Sequence, residues 1–152
     1  MANTAGLCTT FKRDLLLAKH AFGTTVTRGA TTADTFNLAL FLASASRGPS
    51  DSAYSTTGEL AGTGGYTQGG IAVTNGNAPT TSGTSGIWTP SASVQWTTFT
   101  SSGAFDTAVL YNATQSSLQV AVFTFGSQSV TSGTFTLAMP VNAAGTALIE
   151  IA

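Results

Sequence analysis

From residue 35 onward, apolar side chains recur at every second position in short runs separated by Gly, Ser, Thr, Asn and Pro. A period of two is the period of a strand. In the run Thr35 to Leu42, Phe36, Leu38, Leu40 and Leu42 fall on one side and Asn37, Ala39 and Phe41 on the other, so both faces of this strand are expected to be partly covered. Further strands are predicted at 71–74, 94–97, 104–111, 118–125, 134–138 and 147–151, with hairpin loops at 112–117 and 126–133 and Pro140 ending the penultimate strand. Short strands at regular intervals are the signature of a sandwich or barrel. The expected fold is therefore mainly β, a single-domain antiparallel β-sandwich over 35–152 with about seven strands and Greek-key or jelly-roll-like connections.

The N-terminal stretch has a different period. Phe11, Leu15, Ala18 and Phe22 are spaced four, three and four apart, which predicts an amphipathic helix over 9–22 covering one end or face of the sheet. Thr9 or Thr10 would cap its start, and Gly23 stands where a left-handed C-terminal residue belongs. Lys12, Arg13, Lys19 and His20 occupy its other faces and make a candidate interface, while the small polar residues of 1–8 read as an arm. The long Ser/Thr/Gly-rich segment 43–70 carries Tyr54 and Tyr66 as anchors, because loops of this length are usually functional or held by their own contacts. Residues 75–86 read as an exposed, flexible tip. Trp96 alternates with Val94 and is expected in the core, whereas Trp88, beside Pro90 in a presumed loop, is the better candidate for a contact surface.

Composition narrows the function. The 152 residues suit one domain. Only 7% are charged, with five Lys+Arg against six Asp+Glu, too few cations for the basic face that direct nucleic-acid binding needs. With 42% hydrophobic residues and a net charge of −1 the chain should fold. Its near-neutral, hydroxyl-rich surface lacks the self-repulsion that keeps monomers apart and suits an assembly. The single cysteine, Cys8, rules out an intramolecular disulfide. Lys12, Arg13 and Asp14 break any apolar run near the start, so neither a secretion signal nor a membrane span is expected, and synthesis and folding are placed in a cytoplasm.

Candidate chemistry is sparse. His20 is the one histidine and the six carboxylates are scattered, so no metal or other cofactor is expected. A Ser-His-Asp triad would have to use His20, with no G-x-S-x-G elbow to present a serine. Glu59 paired with Asp51 or Asp106 is the best available pair of carboxylates for glycosidase chemistry. Within Thr56-Thr57-Gly58-Glu59, however, Glu59 reads more naturally as an acceptor of local hydrogen bonds that pins its loop. Gly62 to Tyr66 is not followed by Lys or a helix and is no phosphate loop. Trp88, Trp96, Tyr54 and Tyr66 together leave open a platform for stacking host glycans.

Three segments carry a resemblance: Cys-Thr-Thr-Phe-Lys-Arg-Asp-Leu-Leu-Leu-Ala-Lys-His-Ala-Phe at 8–22, Asp-Thr-Phe-Asn-Leu-Ala-Leu-Phe at 34–41 and Ala-Tyr-Ser-Thr-Thr-Gly-Glu-Leu-Ala-Gly-Thr-Gly-Gly-Tyr-Thr-Gln-Gly-Gly at 53–70. Together with 108–112, 121–125 and 133–137, they resemble a widespread family of small virion proteins of tailed bacteriophages, over nearly the whole chain. The most specific part joins Tyr54, Glu59, Tyr66, Gly69 and Gly70. Gly65 departs from it as an insertion where the family usually reads Gly-Thr-Gly-Tyr, and 75–93 matches poorly. The resemblance implies a non-enzymatic structural component of the virion. The first expectation is a capsid decoration or cement protein that bridges major capsid subunits from outside, and the second is a head-to-tail or tail component. The implied partners are the major capsid protein or other virion proteins, met in many symmetric copies or as a homo-oligomer, without direct nucleic-acid or membrane contact.

Overall fold

The structure is a computed structural model that describes residues 3–8, 15, 19–24, 32–83 and 85–151. It is mainly β, with ten strands among the described residues: β1 Gly6–Leu7, β2 Phe36–Leu42, β3 Ile71–Ala72, β4 Thr80–Ser82, β5 Ser85–Trp88, β6 Val94–Phe99, β7 Phe105–Asn112, β8 Leu118–Gln128, β9 Gly133–Leu137 and β10 Ile149–Ile151. A five-stranded sheet has the order β1-β8-β7-β2-β3, a three-stranded one β10-β5-β4, and β6 pairs with β9. Every pairing is antiparallel.

The alternation in β2 is realised on both sides. Phe36, Leu38 and Leu40 join Trp88, Trp96, Phe99, Phe105, Leu110 and Ile149 in the main core. That core lies between one face of the five-stranded sheet and residues from β5, β6, β9 and β10. Ala39 and Phe41 join Val109, Tyr111, Val122 and Tyr54 in a second cluster on the opposite face. Each fully buried large side chain here is worth about 1.5–3 kcal/mol of transfer free energy. Between Leu110 and Tyr111 the ladder shifts register, pairing Leu110 with Ala121 and Tyr111 with Gln119. Val120 is thus the extra residue of a bulge, and it and Ala121 both reach the main core.

The segment after β2 explains how the outer edge of that strand is closed. Leu42 N–H donates to the Gly58 carbonyl and Leu60 N–H to the Leu40 carbonyl, so 58–60 run beside the second half of β2. Beside its first half runs β3, paired at Asn37 and Leu38. Gly70 makes the crossing between them. With φ at +71° and the position of a Cβ only 1.8 Å from the Leu38 carbonyl oxygen, no other residue fits there.

Several expectations are corrected. The helix expected over 9–22 is not borne out among the described residues. Of the stretch 9–22, residues 9–14 and 16–18 lie outside the described residues, Leu15 alone is helical, and 19–22 are irregular. In this last part Ala21 N–H is donated to the Asp34 carboxylate and Gly23 N–H to the Asn75 side chain. The described part of 75–86 is largely exposed, as expected of a tip, but it is not all loop: β4 and the start of β5 form a hairpin there that leads into the buried Ile87 and Trp88. The arm contributes β1, paired with β8 through Gly6–Val122 and Leu7–Ala121. The loop expected at 126–133 is shorter, because β8 runs on to Gln128.

Candidate functional site

The densest polar arrangement is centred on Glu59. It is brought there by the 58–60 segment, whose backbone is tied to β2 on both sides of it. Glu59 is 5% exposed, and its carboxylate accepts from Tyr54 Oη at 2.5 Å, Tyr66 Oη at 2.7 Å and Gly69 N at 2.7 Å. Tyr66 Oη accepts in turn from Leu40 N at 2.9 Å, and Tyr111 Oη donates to the Gly69 carbonyl at 2.8 Å. Asn37 Nδ2 completes the network toward Tyr111 Oη at 3.2 Å. The structure therefore brings Tyr54, Glu59, Tyr66, Gly69 and Gly70 together around one buried carboxylate.

The three phenols respond electrostatically. Burial, followed by the hydrogen bond to Glu59 and its charge, holds Tyr54 and Tyr66 well above the ordinary tyrosine range. Tyr111 is raised chiefly by burial. All three stay protonated donors at any ordinary pH, which suits them to bind a carboxylate and unsuits them as bases or nucleophiles. Of the aspartates considered as partners of Glu59 for glycoside chemistry, Asp51 meets Arg47 at 3.5 Å and Asp106 accepts from Asn3 Nδ2 at 2.8 Å. At Gly65, φ is +82° and a Cβ would stand 2.5 Å from the Thr98 carbonyl oxygen, so this residue lets the loop pass close over β6.

Two further polar clusters had no signal in the linear pattern. Asp34 Oδ2 accepts from Asn112 Nδ2 at 2.8 Å and from Ala21 N at 3.1 Å, and His20 Nδ1 lies 3.1 Å from Asn112 Nδ2. Asn112 Oδ1 caps the β7–β8 turn by accepting from Thr114 N and Gln115 N. Arg47, stacked over the Phe41 ring, donates to Gln119 Oε1 at 2.7 Å and to the Ala53 carbonyl. Gln119 Nε2 donates to the Gly48 carbonyl and to Cys8 Sγ, whose thiol is pushed above its ordinary range by burial. Only the turn function of Asn112 was legible, from its place at the head of a hairpin loop.

Of the expected interface residues, Lys19, His20 and Trp88 are among the described ones. Lys12 and Arg13 lie outside the described residues. Lys19 is half-buried and His20 is buried against Asn112. Trp88 is corrected from a loop surface to a strand in the core: it is 2% exposed, packs against Phe22 at 4.7 Å and Phe36 at 5.7 Å, and donates its indole N–H to the Asn77 carbonyl. Trp96 and Tyr66 are buried as well, so no aromatic platform faces solvent at these residues. Beside Trp88, an apolar groove of about 320 Å³ runs between Leu15, Phe22, Ile87, Ile149 and Ile151.

Among the described residues no group of three or more His, Cys, Asp and Glu comes together as a metal site, and no described helix is long and apolar enough to cross a membrane. Comparison with models of protein families, with characterised proteins and with solved structures gave no match.

Proposed function

We propose that this chain is a structural protein of a bacteriophage virion, a capsid decoration or cement protein that bridges major capsid subunits in many copies, without enzymatic activity. The observation that carries the reading is the uncharged outer surface of the β6–β9 ribbon and the end of β8. There Gln95, Thr97, Thr98, Thr124, Ser127, Gln128, Thr134 and Thr136 are exposed without one ionic side chain among them. Hydroxyl and amide groups of this kind pack closely against a neighbour at little desolvation cost, and a weak contact repeated across a lattice gains by multivalency. The Glu59 cluster fits the same reading, because its donors and acceptors are spent on holding the 43–70 segment and are not offered to a substrate. In this reading the five-stranded sheet and the smaller sheets are the two leaves of a Greek-key sandwich.

The test is the copy number of the chain in purified particles, by quantitative mass spectrometry against the major capsid protein. A ratio comparable with the capsid protein is expected, together with a lower rupture temperature of particles stripped of it, since a ligand of the assembled lattice stabilises that lattice. A ratio an order of magnitude lower would move the protein to the tail or head-to-tail connection. Absence from particles would overturn the virion reading.

A further inference from the structure

The loop after β3 holds the one Asn-Gly pair of the chain, Asn75-Gly76. Asparagine before glycine is the pair most open to intramolecular deamidation, because a residue without a Cβ leaves its amide nitrogen unshielded beside the asparagine side chain. The fold itself asks for that glycine. A Cβ on Gly76 would stand 2.5 Å from Ser91 Oγ, and Ser91 is tied to the Thr74 carbonyl through both its N–H and its hydroxyl. Gly76 is exposed and Asn75 is half-buried. The Asn75 amide is oriented at both ends: Oδ1 accepts from Gly23 N at 2.7 Å, and Nδ2 donates to the Asp34 carbonyl at 3.1 Å. Gly23 in turn fits closely against the same loop, with φ at +76° and the position of a Cβ only 2.8 Å from Ala78 Cα. Asn75 therefore fastens Gly23 and Asp34 to the loop that leads into β4.

We propose that Asn75 is a self-modification site, which converts in the folded protein through a succinimide to aspartate and isoaspartate. The Gly76 backbone nitrogen attacks Asn75 Cγ and gives up its proton. A new C–N bond closes the ring, the Cγ–Nδ2 bond breaks, and Nδ2 leaves as ammonia with a proton in place of the one lost. Water then adds to either ring carbonyl and opens the ring, restoring an N–H and leaving a carboxylate, so that no oxidant or reductant is needed. Negative charge builds on Oδ1 as the ring closes, and Gly23 N–H is already aimed at that oxygen. The product cannot keep the fastening. A carboxylate has no N–H to donate to the Asp34 carbonyl, and an isoaspartyl link lengthens the main chain by a methylene group beside Thr74, whose carbonyl is held by Ser91. Conversion thus loosens the contact of Gly23 and Asp34 with the loop as the protein ages.

The full chain is kept folded at pH 8 and 37 °C in water labelled with heavy oxygen, and peptides containing Asn75 are followed by mass spectrometry, with isoaspartate detected by enzymatic methylation of its carboxylate. The expected result is conversion at least tenfold faster at Asn75 than at Asn77 and Asn142, each of which precedes alanine. One labelled oxygen enters per converted residue, isoaspartate exceeds aspartate, and hydrogen exchange at 21–23 quickens in the converted fraction. Gly76→Ala should slow the reaction tenfold or more. Its melting is checked first, and where the added methyl group against Ser91 unfolds it, the label and the isoaspartate yield of the wild type decide. Conversion of Asn75 no faster than that of Asn77 would overturn the proposal. A rate that climbs in proportion to the unfolded fraction as urea is added would assign the reaction to the unfolded chain and overturn it too. Conversion without isoaspartate, unchanged in folded Gly76→Ala, would be direct hydrolysis and would have the same consequence.

Discussion

Replacing Glu59 by Gln changes one atom of a side chain whose two oxygens take three hydrogen bonds, and every partner is a donor. The amide can keep its oxygen toward Tyr66 and Gly69, but its NH2 then faces the Tyr54 hydroxyl, which must reorient. All three bonds also lose the charge that makes such bonds worth about 1.5–3 kcal/mol instead of about 1 kcal/mol each. Relief of the buried charge offsets part of this, since no cation is among the partners in this cluster. The expected net cost is about 2–3 kcal/mol. For a chain of this size that corresponds to a melting point lowered by roughly 4–12 °C. Urea titration and thermal melting of Glu59→Gln, Tyr66→Phe and the double variant give the assay. Tyr66→Phe should itself cost about 2 kcal/mol, because the Leu40 N–H also loses its acceptor. The two changes share a bond, so the double variant should be less destabilised than the sum by about 1 kcal/mol. A Glu59→Gln protein within about 0.5 kcal/mol of wild type, the usual range of a neutral surface change, would refute the view that this carboxylate fastens the loop.

Other expectations follow from the same geometry. Tyr66 is held protonated in the folded protein but ionises near pH 10 when unfolded, so its contribution is intact below pH 10 and is lost as pH rises above it, at about 1.4 kcal/mol per pH unit. Urea midpoints between pH 9 and pH 11.5 should fall more steeply for wild type than for Tyr66→Phe, and equal slopes would contradict the assignment. Gly70→Ala places a methyl group against the Leu38 carbonyl at a positive φ, and should cost more than about 3 kcal/mol or abolish soluble expression; a melting point near wild type would show that the crossing is built differently. Trp88→Ala should cost about 3–5 kcal/mol as a core cavity, measured by urea unfolding of the isolated protein, where a surface tryptophan would leave stability almost unchanged.

The alternation of β2, the apolar runs that became β7 and β8 and the turn after Asn112 were legible in the linear chain, because strand period and turn chemistry are local properties that survive in almost any tertiary setting. The grouping of Tyr54, Glu59, Tyr66, Gly69 and Gly70 was also visible, since all five lie within 17 residues of one another in a segment with few other anchors. What the chain could not disclose was decided by partners far away in sequence. Asp34 and Asn75 take the amides of Ala21 and Gly23, and 19–22 are irregular. Phe22 and Phe36 cover Trp88, which by its neighbours alone reads as a loop residue. Arg47 finds Gln119 across 72 positions, and Cys8 finds it across 111. Periodicity reports which side of an element is apolar, whereas which polar groups meet inside depends on how strands 30 to 110 residues apart are laid beside one another, and that ordering is a property of the assembled sheets.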